Sequence, residues 1–232
     1  MKDIVIFIGP PGAGKGTLAR LCCERMNWTQ LSTGDLCRQH VVQKTELGQQ
    51  IDLLIKSGKL ISDSLVLEMV KKWLQEQLTW SEGIILDGFP RTQVQAEMLD
   101  LMLRETLQDS YTISVVKMEL DPDIVVRRLM ARVVCSNKTC QAVFSTKNIA
   151  KTKKNNDSDE LVCAECSSPL VRRADDVEPV ICERLSIYQS HASQLLDYYK
   201  ASGRPIYSLD VAQPVEGVFE QFVHLKNGFN LR

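Results

Sequence analysis

Residues 4–17, IVIFIGPPGAGKGT, join an unbroken apolar run to a turn that places three glycines before a lysine. Nothing else in the chain restricts the fold as much. Ile4–Ile8 is β-branched and aromatic with no polar face to turn to water, so it reads as a strand buried on both sides, the kind found in a parallel sheet covered by helices. Gly9-Pro10-Pro11 stops it, and Thr17–Met26 suits a helix. A strand, a glycine-rich turn and a helix start aim successive backbone N–H groups at one point, where the helix dipole favours negative charge. That is a phosphate cradle. Gly12 and Gly14 allow close approach, Ala13 lies between them, and Lys15 reaches the outer phosphates. The pattern G-x-x-x-x-G-K-[ST] is displaced by one residue, because Gly16 follows the lysine and the hydroxyl that would meet a magnesium ion comes from Thr17.

Further short apolar runs at 83–87, 113–120 and 205–209 read as strands, with helical patterns between them. The alternation implies an α/β fold, a doubly wound parallel sheet with helices on both faces. One helix is clear from spacing alone: Ile181, Leu185, Tyr188, Ala192, Leu195 and Tyr199 recur at steps of four and three, and Gly203 and Pro205 end it. Two stretches break the alternation. Residues 32–61 are mostly helical and polar with Gly48 and Gly58 as breaks, and 133–172 is cysteine-bearing and lysine-rich. Both read as insertions on the functional edge of the sheet, and 147–159 as an exposed loop tip.

The 232 residues, 44% hydrophobic and 25% charged, suffice for one sizeable core. A formal charge of −1 supplies no bulk field toward nucleic acid or anionic lipid, so phosphate binding must be local. Lys147, Lys151, Lys153 and Lys154 are followed at once by Asp157, Asp159 and Glu160 without interleaved aromatics, so no nucleic-acid partner is expected. No apolar run reaches membrane-spanning length, and Ile4–Ile8 is too short for a signal-peptide core. No membrane partner is expected, and a cytoplasmic location is.

Three separated motifs, GPPGAGKGT, LSTGDLCR (31–38) and LDGFPRT (86–92), with RRADD and ER between 172 and 184, make the chain resemble the adenylate kinase family of nucleoside monophosphate kinases over nearly its whole length. The resemblance implies a P-loop three-layer α/β/α fold with a parallel five-stranded sheet. It implies a core of 1–31, 62–130 and 177–232, an AMP-binding insertion at 32–61 and a lid at 131–176. The implied substrates are ATP, AMP and ADP with Mg2+, in a monomer. ATP would be held by Gly12, Ala13, Gly14, Lys15, Gly16, Thr17, Arg132, Val143, Phe144 and Gln213. AMP would meet Thr33, Arg38, Lys59, Leu60, Ile61, Gly88, Phe89, Pro90, Arg91, Gln95, Arg173 and Arg184. Catalysis would rest on Lys15, Arg91, Arg128, Arg132, Arg173 and Arg184, with Asp87 orienting magnesium through water and Asp35 as a second anchor. Arg128 and Arg132, four apart, would share one helix face as lid arginines, and Asp175 and Asp176 would belong to the hinge, pairing with arginines when the lid shuts. Two departures from the family pattern stand out: Val133 replaces the second arginine of a tandem, and Phe144 replaces a tyrosine.

Cys135-x4-Cys140 and Cys163-x2-Cys166 have the ligand count of a tetrahedral Zn2+ site. Two disulfides are the alternative, disfavoured in a reducing compartment. A four-thiolate site leaves no position for water, so the metal is expected to be structural, stapling a lid of roughly 40 residues that is too small for its own core. The family's long form, which carries zinc in the lid, usually has a first knuckle two residues tighter.

Overall fold

The structure, a computed structural model, describes residues 2–77, 82–108, 110–137, 140–147, 153–155 and 158–228. In chain order its elements are β1 (Lys2–Ile8), α1 (Lys15–Met26), β2 (Thr29–Ser32), α2 (Thr33–Val42), α3 (Glu46–Ser57), α4 (Asp63–Gln77) and β3 (Gly83–Asp87). Next come α5 (Gln93–Leu107), β4 (Tyr111–Glu119), α6 (Pro122–Met130), β5 (Arg132–Cys135), β6 (Val143–Ser145), β7 (Lys153–Asn155), β8 (Ser158–Val162) and β9 (Leu170–Val171). The last are α7 (Glu178–Ala201), β10 (Ile206–Asp210) and α8 (Val215–Asn227).

Five strands form one parallel sheet in the order β10-β4-β1-β3-β2. Side-chain alternation along β1 explains the three layers. Ile4, Ile6 and Ile8 point into a core with Val70 of α4, Leu99 of α5 and Leu195 and Tyr199 of α7. Val5 and Phe7 point the other way, into a core with Leu18 and Cys22 of α1 and Phe222 of α8. Phe222 meets the Phe7 and Trp28 rings edge-on at 5.6 and 5.9 Å between centroids. The chain leaves β1 toward the β2 edge and leaves β3 toward β4, so the carboxyl ends of these two adjacent strands flank a topological switch point, where open α/β sheets bind ligands.

The remaining elements rise above that edge. Helices α2 and α3 form a crossed pair, and β6-β5-β9 and β7-β8 make two small antiparallel sheets. Gly48 does not break the helical run as expected. It lies inside α3, where a Cβ would fall 2.1 Å from the His40 carbonyl oxygen, so its absence lets two helices cross closely. Gly58 does end α3, as its left-handed cap. Within the stretch read as a loop tip, β7 and β8 pair as a hairpin, while residues 148–152 and 156–157 lie outside the described residues. Among the described residues no helix is long and apolar enough to cross a membrane.

Candidate active site

The loop after β1 is built as the sequence requires. Gly12 and Gly14 have φ of 78° and 90°, and Gly14 caps α1 in the left-handed conformation. Gly16 answers the displaced motif by proximity: a Cβ there would lie 3.1 Å from Oδ2 of Asp87, the last residue of β3. A side chain after Lys15 would press on the carboxylate that ends the neighbouring strand. Ala13 is buried and Thr17 sits in the first turn of α1. Lys15 Nζ donates to the carbonyls of Gly9 and Pro10 at 2.8 and 2.9 Å, so its ammonium folds back onto its own loop. Gln30 of β2 donates to Asp87 Oδ2 at 3.2 Å. Sequence reasoning missed Gln30 because the short strand that carries it buries a single apolar side chain, Leu31.

A pocket opens beside the loop, between α2, the end of α3 and the β3–α5 turn. Thr33, Arg38, Lys59, Leu60 and Ile61 line one side, and Gly88, Arg91, Gln95 and Arg184 the other. Cys37 also lines it, without having been singled out from the sequence. The Gly88 carbonyl accepts from both Thr33 Oγ1 (2.9 Å) and Arg91 Nε (2.8 Å), which ties the two walls together. Phe89 and Pro90 depart from expectation. Both side chains are buried, and Phe89 belongs to the sheet core, so they shape the turn from behind the pocket.

Between loop and pocket, Lys15, Arg91, Arg132 and Arg184 stand close enough to repel one another. Loss of solvent, opposed by Asp87 and reinforced by the three guanidiniums, pulls the Lys15 ammonium down to about 8. Arg173 is pulled down to about 10, first by loss of solvent and then by Arg38 and Arg132. Burial raises Asp87, with Lys15 opposing. Such a cluster is short of anions. Part of the deficit is met by carboxylates: Arg132 makes a two-pronged contact with the buried Asp176, with Nε 2.7 Å from Oδ2, and Arg184 meets Asp175 at 2.7 Å. Arg38 pairs with Asp35. Asp175 and Asp176 thus both pair with arginines.

Arg128 and Arg132 do not share a helix face. α6 ends at Met130 with Ala131 as its cap, and Arg132 opens β5. Arg128 instead reaches the turn after β10, donating to the Val211 and Ala212 carbonyls at 2.8 and 3.4 Å, with Asp210 as its nearby charge. It therefore stands apart from the cation cluster. Gln213 lies beside it, bonded to the Asp210 carbonyl at 3.1 Å. In β6, Val143 is exposed while Phe144 packs on the small core of Cys135, Ala142 and Cys163. Neighbouring strand residues face opposite ways, so Val143 rather than Phe144 presents the free side chain there.

That small core surrounds the four expected cysteines. The sulfurs of Cys135, Cys140, Cys163 and Cys166 all lie within 4.8 Å of one another. Cys135 and Cys166 are 3.3 Å apart and Cys140 and Cys163 3.7 Å, and none is in a disulfide. Zinc bonded to thiolates at about 2.3 Å places sulfurs about 3.8 Å apart in a tetrahedron, so the donor set fits a metal ion. Glu165, between the last two cysteines of the cluster, pairs with Arg20 of α1 at 2.6 Å, a surface contact of small energetic weight.

A family model described as adenylate kinase matches residues 7–204. A protein from Archaeoglobus fulgidus described as an adenylate kinase is 38% identical over 94% of each chain. Those from Finegoldia magna and Clostridium tetani, given the same description, are each 35% identical over 97% of this chain and 99% of their own. With matches of that extent laid over a phosphate loop, an adjoining pocket and a cluster of cations between them, the chain belongs to the adenylate kinase family.

Proposed function

We propose that this protein moves the terminal phosphoryl group of magnesium-bound ATP onto AMP, giving two ADP, and runs the same reaction in reverse. The observation that carries this reading is the convergence of Lys15, Arg91, Arg132 and Arg184 between the phosphate loop and the pocket beside it, a group whose mutual repulsion the neighbouring carboxylates relieve only in part. The acceptor phosphate oxygen is already ionised, so no general base is needed. What the protein must supply is positive charge, alignment and exclusion of water.

On the donor side, the backbone of Gly12–Thr17 cradles the phosphates and Lys15 exchanges the Gly9 and Pro10 carbonyls for phosphate oxygens. Thr17 by its hydroxyl and Asp87 through water would hold the magnesium that accompanies ATP, which would offset negative charge on the donor phosphates. Arg128, Val143 and the backbone at Gln213 flank the donor base. On the acceptor side, Arg38 and Arg91 hold the AMP phosphate, while Thr33, Lys59–Ile61, Gly88 and Gln95 surround sugar and base. Arg132 and Arg184 then exchange their carboxylate partners for the transferring group, joined by Arg173, as 32–61 and 131–176 close. The four cysteines hold a structural zinc ion, and the protein acts as a monomer in the cytoplasm.

The test is coupled: ADP formation from ATP with AMP, GMP, CMP and UMP in turn. Turnover with AMP well above the others supports the reading, and turnover with none overturns it.

The Lys15 ammonium adds a pH dependence. Its ordinary value of 10.5 is lowered to about 8, so in the free protein the charge is complete only well below pH 8 and is lost as pH rises through about 8. kcat/KM for ATP, which reports the free enzyme, should fall along that limb. Bound phosphates return the proton, so kcat should hold to higher pH. A kcat/KM limb that begins only near pH 10 would contradict this.

A further inference from the structure

Adenine and guanine have nearly the same outline and differ on one edge by an exchange of roles. Adenine sets an accepting ring nitrogen beside a donating amino group; guanine sets a donating ring N–H beside an accepting carbonyl. A primary amide can meet either edge with two hydrogen bonds, and half a turn about its last torsion decides which one it fits. A freely turning glutamine would therefore discriminate poorly between purines.

Gln95 does not turn freely. Its Oε1 accepts from the backbone N–H of Arg91 at 2.7 Å, and its Nε2 donates to Oδ1 of Asp63 at 2.6 Å. The first partner can only donate and the second, as a carboxylate, can only accept, so chemistry fixes which end of the amide is oxygen and which nitrogen. Turning it over would replace two hydrogen bonds by two repulsions around a residue that is 2% exposed. Asp63 is held in turn: Thr92 Oγ1 donates to its other oxygen at 3.2 Å and accepts from the Gln95 N–H, also at 3.2 Å. Asp63 is the first residue of α4, and Gln95 lies in the first turn of α5. Gln95 lines the pocket and Asp63 does not, so the carboxylate acts only through the amide. One N–H and one lone pair of that amide remain for a base.

We propose that Asp63 is a positioning residue that sets base specificity, locking the Gln95 amide in the sense that accepts from an amino group and donates to a ring nitrogen, and so selecting adenine over guanine. This rests on reading the pocket as the monophosphate site. Asp63→Asn tests it, because an amide at 63 offers either an oxygen or an NH2 and removes one of the two repulsions that oppose the turned Gln95, leaving only the one with the Arg91 N–H. The measurements are kcat/KM for AMP and GMP at fixed magnesium-ATP, with calorimetric Kd values for the same two nucleotides.

The AMP-to-GMP ratio is expected to fall at least about tenfold in both, the size of one hydrogen bond exchanged for a repulsion, with the AMP value falling and the GMP value rising. A structural role alone would lower both by a common factor; that result, or an unchanged ratio, overturns the proposal. Should Asp63→Asn not melt cooperatively, Asp63→Ser, tolerated at a helix start, is judged by the same ratio. Calorimetry separates the two readings: unaltered protein that prefers AMP in binding yet forms no ADP defeats the phosphotransfer reading alone, and equal binding of AMP and GMP defeats this one alone.

Discussion

Lys15→Met is expected to lower kcat for ADP formation by about 10^3-fold, with the melting temperature within a few degrees of the unaltered protein. The side chain keeps its length and apolar stem and loses the charge. Its ammonium donates to the Gly9 and Pro10 carbonyls, and on the proposed reading those interactions would be exchanged for phosphate when ATP binds. The exchange gains most where negative charge is most concentrated, at the transferring group, so the loss should fall on kcat more than on KM. Arg128→Ala supplies the contrast. Arg128 touches the Val211 and Ala212 carbonyls and has Asp210 as its charged neighbour, away from the cluster around Lys15. Its removal should raise KM for ATP while changing kcat by less than about threefold, the pattern of an interaction shared by ground and transition states. Steady-state kinetics on the two variants separates the roles; a loss in kcat for Arg128→Ala as large as for Lys15→Met would return that arginine to the phosphates.

How much of this was legible in the sequence depended on whether a signal was local. β1 and its glycine loop were, because an apolar run and left-handed glycines are properties of neighbouring residues. So was the face of α7, where Ile181, Leu195 and Tyr199 are buried at the spacing read from the chain. β2 was not, since an edge strand of four residues with only Leu31 turned inward leaves no alternation to detect. The shared face of Arg128 and Arg132 failed for a related reason. Spacing of four implies adjacency only while the helix continues, and α6 stops between them. Asp63 shows the deeper limit. A carboxylate at a helix start reads as a favourable interaction with the dipole, and nothing in its surroundings points to Gln95, 32 residues on. That pairing exists because α4 and α5 pack side by side, which is a tertiary fact.

The same dependence of a site on its frame governs the largest stability effect expected. The β6–β5–β9 sheet carries Arg132 into the cation cluster, yet among the described residues the cluster around its cysteines is small, Cys135, Ala142 and Cys163 with Cys140, Phe144 and Leu170 packed against them. Three of the four clustered cysteines are thus also half of that cluster. Burying thiolates without a cation costs what any unpaired charge costs, and burying thiols leaves a core of a few small side chains, so in either form the segment lacks a sufficient drive to fold. Structural zinc in small domains supplies about 10–16 kcal/mol, more than most whole domains hold in reserve. Chelation, or Cys163→Ser, should therefore open a separate transition below the main one and expose bonds within 132–171 to protease, with the five-stranded sheet still folded. ADP formation should fall at least about tenfold, because Arg132 and Arg173 lose the framework that aims them. A reductant without chelator should do none of this if a metal rather than a pair of disulfides joins the cysteines. A single unshifted transition after chelation, with the proteolytic pattern unchanged, would remove the metal from the account.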